Sequence, residues 1–392
     1  MRPAWVDAAI GAPGSPLLAD LVQASRLLGG DPYLVLHGGG NSSAKDASTV
    51  YVKASGHDMA TIAPDGFAPL DRRALDRLLE QESMTDPQMV AGLRAALLNP
   101  ASATPSIETL LHNLLPHESV LHTHADAIVT LTNARGGGAL LTELAGDDVL
   151  RLGYCMPGFD LARLVRAEWA EHGSDGVRGI VLAHHGLFTF AADARTSYES
   201  HVQLVDRAEQ LITESTGVRF TDDPSEVRVS EDDDPSLREL GDHVRAVTGS
   251  AVRLWARRSE AIEEFCAHPD LERITQQGPS TLEHVIRTKR TPLLGRDVAG
   301  YAVKYAAYVA RNRDRSAQLV VMLDPTPRVI LEPGLGLVTT GRTLTEAQVV
   351  ADIYRHTMRI VLAAEALGGY RSITEGQAFD IEYWELEQAK VR

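Results

Sequence analysis

The sequence predicts an α/β fold, a sheet flanked by helices, with a second and degenerate copy in the C-terminal half. Three observations predict it. Up to about residue 220, short apolar runs of strand character alternate with stretches whose apolar residues recur at helical spacing. The chain has 392 residues, 44% of them hydrophobic, and single cores stop growing at roughly 250–300 residues, so two domains are expected. The rhythm of "RGIVLAHHGLFTFAADARTSY" returns in "RVILEPGLGLVTTGRTLTEAQ": apolar strand, Gly-Leu, second strand, helix.

Residues 17–29 carry apolar positions at helical spacing and stop at Gly29–Gly30. "YLVLHGGGNSS" reads as a strand running into a glycine turn, and "VYVKASG" as a strand ending at Ser55–Gly56. "DRRALDRLLEQ" and "PQMVAGLRAALLN" read as helices. "SIETLLHNLLP" reads as a helix opened by Ser106 and closed at Pro116. "SVLHTHADAIVTLTN" starts as a strand and becomes a helix after His124. "DLARLVRAEWAEHG" is helical, "GIVLAHHGLFTFA" is two strands broken at Gly186, and a long helix follows from residue 194. Residues 221–236, acidic and poor in apolar groups, read as a linker or exposed loop. The domains are therefore expected at 1–220 and 235–392. "EHVIRTKRTPLL" overlays "ESVLHTHADAIV", which sets Arg287 and Lys289 against His122 and His124, and Leu335 against His185.

Bulk properties exclude several classes. A net charge of −15 argues against nucleic-acid binding. No apolar run is long enough for a membrane span, and the N-terminus lacks a leader pattern. Two cysteines, Cys155 and Cys266, cannot build a disulfide framework, so a cytoplasmic setting is expected.

The chemistry lies in five short motifs. In a strand, His122 and His124 present two imidazoles to one face, a geometry that suits a zinc ion. "LAHHGL" ends another strand on His184 and His185, of which one can join the same cluster. Three histidines and an open position form a catalytic metal site rather than a closed structural one. Glu108 begins a helix just before the H-x-H strand, where a carboxylate serves as fourth ligand or general base; taken alone, a first-turn Glu favoured by the helix dipole accounts for it better. "HGGGNSS" and "ASG" offer backbone N–H groups and hydroxyls to an anion, or form plain glycine turns.

In order, Gly-Asn-Ser, Ser-Gly, Ser-x-Glu, His-x-His and His-His-Gly resemble the class II aldolase/adducin family over roughly residues 17–215. "VKASGHDMATI", "VIRTKRTPLL" and "AFDIEYWELEQAK" extend a similarity to the rhamnulose-1-phosphate aldolase part of bifunctional aldolase/dehydrogenase proteins. The resemblance implies a zinc-dependent aldolase that cleaves a ketose 1-phosphate, such as L-rhamnulose 1-phosphate, into dihydroxyacetone phosphate and an aldehyde. It implies His122, His124 and His185 as metal ligands and Glu108 as the catalytic carboxylate. Asn41, Ser42, Ser55, Gly56 and Ser106 fall on its phosphate-binding positions. It also implies a homo-oligomer acting on a small sugar phosphate. Alternatives within the resemblance are a metal-dependent decarboxylase or epimerase, and a non-catalytic adducin-like binding module. Ile107 stands where those aldolases carry a serine, and no tyrosine here matches their acid cleanly. A degenerate second half could supply what is missing, from Arg287, Lys289 and Tyr301, Tyr305 and Tyr308, the tyrosines sharing one helix face; a packed core stripe is the competing reading.

Overall fold

The computed structural model describes residues 2–6, 16–316 and 319–388. The reading of a leaderless N-terminus, and the last two residues of "AFDIEYWELEQAK", fall partly outside these. Internal contacts divide the chain into two compact units: Met1–Thr132 with Gly138–Glu214, and Asn133–Gly137 with Ser215–Arg392. Both are helix-flanked sheets.

The first unit holds strands β1 (Asn41–Lys45), β2 (Thr49–Lys53), β3 (Phe67–Asp71), β4 (Ser119–Thr123), β5 (Val149–Leu152), β6 (Gly179–Leu182) and β7 (Gly186–Ala191). Their order in the sheet is β3-β2-β1-β4-β7-β6-β5. β4 lies in the middle, so its alternation reaches both faces. Val120 and His122 share a face with Phe188 and Phe190 of β7, above a core that includes Leu111, Leu161 and Val165. Thr123 faces the other way and meets His201 of the long helix Ala194–Thr216.

One expectation changes here. "YLVL" is a turn, not a strand, and the strand follows the glycines. The Asp31 carbonyl accepts from both Leu34 N and Val35 N, which coils the run before it can pair. The polar "NSSAK" pairs instead, between β2 and β4, with all five residues buried.

The second unit holds β8 (Val227–Ser230), β9 (Arg253–Arg258), β10 (Leu293–Leu294), β11 (Val329–Glu332) and β12 (Gly336–Gly341), ordered β10-β11-β12-β9-β8. The acidic stretch read as a linker is largely its edge. β8 pairs with β9, Glu226 pairs with the buried Arg257, and Asp222 pairs with Arg355 at 2.7 Å. Part of the charge there is ion-paired, and Asp222 and Asp232 stay exposed as well.

The two sheets share a plan. β6 and β7 form a hairpin across three residues, β7 pairs antiparallel with β4, and β6 pairs parallel with β5. β11 and β12 do the same with β9 and β10. A 23-residue helix follows each hairpin, Ala194–Thr216 and Leu344–Ala366. The Thr189 hydroxyl donates to the Ser197 carbonyl (3.1 Å), and that of Thr339 to the Ala347 carbonyl (2.7 Å), the same eight-residue step in both. This register corrects the sequence overlay. The counterpart of β4 is β9, and Val285–Thr288 of "EHVIRTKRTPLL" is a short helix. Short apolar runs do not distinguish helix from strand by pattern alone. His122 lies opposite Phe188, and Ala256 opposite Val338. Ala256, Arg258 and Leu335 therefore occupy the places of His122, His124 and His185; Arg287 and Lys289 do not.

Candidate metal centre

β4 sets His122 on the face it shares with Phe188 and ends one residue before His124. The His122 ring stacks on Phe188 at 3.9 Å between centroids. His185 arrives from the turn between β6 and β7. That approach requires Gly186: a β-carbon there would lie 2.1 Å from the Thr123 carbonyl oxygen. Gly40, at φ +63, is equally constrained, since its β-carbon would lie 2.7 Å from the His122 carbonyl oxygen. The glycines of "HGGGN" and "HHG" thus let two loops close on β4.

Three imidazole nitrogens, one each from His122, His124 and His185, lie within 4.8 Å of one another. Nε2 of His122 is 2.9 Å from Nε2 of His124. Nδ1 of His122 is 3.0 Å from the Leu187 carbonyl, which can only accept, so that nitrogen carries the proton and Nε2 turns its lone pair into the cluster. Glu108 joins from the N-cap of the helix Thr109–Leu114. Its Oε2 lies 3.7 Å from His122 Nε2 and its Oε1 3.5 Å from His185 Nε2. Oε1 is buried and makes no hydrogen bond among the described residues. Convergent lone pairs beside a buried carboxylate are a donor set that fits a divalent cation of the zinc type, with half-buried His124 on the open side. His184, at φ +59, is not part of the cluster.

The phosphate candidates divide into two groups. Ser55 and Gly56 are exposed on a turn, Gly56 at φ +84, and the Ala54–Pro105 bridge sets that turn beside Ser106. Lys53, which the motif reading did not select, reaches the Gly38 carbonyl at 3.4 Å and brings a positive charge to the glycine loop. Asn41 and Ser42 face inward. Ser42 Oγ is 2.6 Å from Ser25 Oγ under the helix Pro16–Gly29, and Asn41 gives its amide protons to Glu108 Oε2 (2.5 Å) and Ser106 Oγ (3.2 Å).

The sequence reading also missed His112. It is fully buried, and burial, with Lys45 adding to it, lowers its pKa to about 3. Asn41, Ser43 and Lys45, alternate residues of β1, all reach it: Asn41 Oδ1 meets Nε2, Ser43 Oγ lies 2.7 Å from Nδ1, and Lys45 Nζ donates to the His112 carbonyl at 2.5 Å. The available signal was the i, i+4 spacing of Glu108 and His112 together with the N-x-S-x-K alternation.

The residues proposed from the second half lie within the second unit. Tyr301 is buried and donates to the Thr291 carbonyl at 2.8 Å. Tyr305 and Tyr308 belong to the same core. Lys289 Nζ sits 3.4 Å over the Tyr305 ring and donates to the Asp324 carbonyl, and burial lowers its pKa to about 7. Arg287 is half-buried.

The family model "Class II Aldolase and Adducin N-terminal domain" matches residues 19–212, and "Aldolase class II, second domain" matches residues 229–391. The chain belongs to the class II aldolase/adducin family. A Bacillus subtilis (strain 168) protein named as the uncharacterized oxidoreductase YuxG is 28% identical over 95% of this chain. The chain spans only 58% of that relative's length. The N-terminal class II aldolase domain of a conserved Thermoplasma acidophilum protein is 35% identical, covering 54% of this chain and 99% of its own, with a TM-score of 0.49. The L-fuculose-1-phosphate aldolase from Thermus thermophilus is 18% identical, covering 50% of this chain and 95% of its own, at a TM-score of 0.34. Class II aldolases are generally metal-dependent lyases. No helix among the described residues is long and apolar enough to cross a membrane.

Proposed function

We propose that this protein is a zinc-dependent lyase that cleaves a ketose 1-phosphate, with L-rhamnulose 1-phosphate the first to test, to dihydroxyacetone phosphate and an aldehyde. We place it in the cytoplasm as a homo-oligomer. The observation that carries the reading is Glu108 set 3.5–3.7 Å from two members of a three-histidine cluster. A divalent ion held by His122, His124 and His185 would supply Lewis acidity toward the substrate's carbonyl and neighbouring hydroxyl oxygens. Glu108, buried beside the histidines, moves the proton at the donor carbon. Ser55, Gly56, Ser106 and the Lys53 charge beside Gly38 support a phosphate site at the rim. The test is release of dihydroxyacetone phosphate in a coupled assay, with the metal content of the same sample measured. Protein that carries one metal per chain yet releases none from any ketose 1-phosphate refutes the substrate class.

A second reading has its own observation. Asn41 and Ser42 spend their polar groups internally, and Ile107 replaces a hydroxyl. A smaller phosphate site favours a metal-dependent decarboxylase or epimerase that keeps the same carboxylate and histidines.

A further inference from the structure

The chain of hydrogen bonds behind Glu108 fixes every proton in it. A carboxylate can only accept, so the Asn41 amide must turn its NH₂ toward Glu108 Oε2. Its carbonyl oxygen Oδ1 then faces His112 Nε2, which must carry a proton to meet it. The fully buried His112 ring is neutral, so Nδ1 is the lone-pair nitrogen and accepts from the Ser43 hydroxyl at 2.7 Å. Both hydrogens of Asn41 Nδ2 are engaged, one by Glu108 and one by Ser106 Oγ. Asn41 itself lies directly across from His122 in the β1–β4 register, so amide and ligand are fixed by the same backbone ladder.

The two oxygens of Glu108 are therefore unlike. Oε2 is held by a donor that His112 prevents from rotating. Oε1 is buried, makes no hydrogen bond among the described residues, and faces His185 at 3.5 Å. If the amide rotated, a carbonyl oxygen would confront the carboxylate, and the proton could settle on either oxygen.

We propose that His112 is a positioning residue: gripped by Asn41, Ser43 and Lys45, it locks the Asn41 amide so that Glu108 keeps Oε2 as an acceptor and exchanges the substrate proton through Oε1. The inference rests on the proposed lyase chemistry. In the step it serves, the bond between hydrogen and the donor carbon of dihydroxyacetone phosphate breaks. Its electron pair stays on the carbon, and the proton goes to Oε1. The reverse transfer returns it after cleavage. Asn41 is thereby assigned to Glu108 rather than to phosphate.

Two measurements test it. In metal-free protein labelled with ¹⁵N-histidine, His112 is expected to show a protonated Nε2 and an unprotonated Nδ1 by nitrogen NMR, the His112→Gln spectrum giving the assignment. The opposite tautomer, or an exchanging average, overturns the proposal without any enzyme assay. The second measurement is solvent-deuterium exchange into dihydroxyacetone phosphate by the zinc-loaded protein. His112→Leu, which cannot donate, is expected to slow exchange by about 10–100-fold, with zinc still at one per chain and KM within about threefold. His112→Gln restores an N–H donor and is expected to recover most of the rate. Equal loss in both variants leaves His112 a packing residue and overturns the proposal. Absence of exchange in the unaltered protein, with the expected tautomer present, instead counts against the lyase reading.

Discussion

The two units are built on one strand plan, and only the first carries a metal-ligand cluster among the described residues. Around β4 the hairpin brings His122, His124 and His185 together. Around β9 the same places hold Ala256, Arg258 and Leu335. The backbone geometry survives without the chemistry. Gly186 and Gly336 both begin the second strand of a hairpin against a carbonyl, that of Thr123 in one unit and Arg257 in the other. Two of the ligand places are apolar, Ala256 and Leu335, and ion pairs form around them. Arg257, at the place of Thr123, reaches Asp352 on the long helix, much as Thr123 reaches His201. Arg258, at the place of His124, meets Asp234 at 2.7 Å and the Leu335 carbonyl at 3.1 Å. A strand's position in the sheet sets which side chains converge; their identity decides whether they hold a metal or an edge strand.

The sharpest way to break this contrast is to remove one side chain from each unit. His124→Ala is expected to take the protein from one divalent metal per chain to nearly none and to lower activity by about 10²–10³-fold. Arg258→Ala is expected to leave the metal unchanged. Metal analysis of both proteins decides, and loss of metal from the second would mean that the units are not separate in function. Glu108→Gln should instead retain the metal while proton exchange into dihydroxyacetone phosphate falls by about 10²–10³-fold.

The two glycines test the shared backbone. Gly186→Ala and Gly336→Ala should each cost about 1–3 kcal/mol in denaturant unfolding, because the new β-carbon would fall 2.1 and 2.5 Å from a carbonyl oxygen. Only the first should also weaken metal binding.

A further prediction concerns a buried lysine in each unit. Burial lowers both Lys45 and Lys289 to about 7, from an ordinary value near 10.5. Between those values the unfolded chain holds more protons than the folded one, so stability rises with pH across the window and is lost as pH falls toward 7. Lys45→Met and Lys289→Met should each flatten that slope, read as the difference in unfolding free energy between pH 6.5 and pH 10. An unchanged slope in either variant would show that its lysine keeps its charge on folding.

Much of the candidate site was legible because its residues sit at element ends with strong local signals. H-x-H at a strand end and His-Gly in a hairpin carry their own geometry, and β4, β6, β7 and the long helices lie where periodicity sets them. The glycine loop was harder. An apolar "YLVL" has strand propensity, and a capping carbonyl at Asp31 overrides it. "NSSAK" has almost none, and pairing on both sides overrides that too. His112 was invisible because its partners stand some seventy positions away on β1, as the 69 and 71 residues separating it from Ser43 and Asn41 record. Within the acidic stretch the edge strand Val227–Ser230 was not legible, because composition does not show its pairing with β9.

By itself the sequence determined the helix-flanked sheets, the H-x-H and His-His-Gly elements and the repeated hairpin, since each is written in residues close along the chain; that His185 rather than His184 joins His122 and His124, with Glu108 beside them, is a matter of the fold. Only the tertiary structure decided which oxygen of Glu108 is held and by what. It also moved the counterpart of the metal strand from residues 283–294 to Arg253–Arg258. Both depend on register across a sheet, where a shift of one residue turns every side chain to the other face, and no local pattern encodes it.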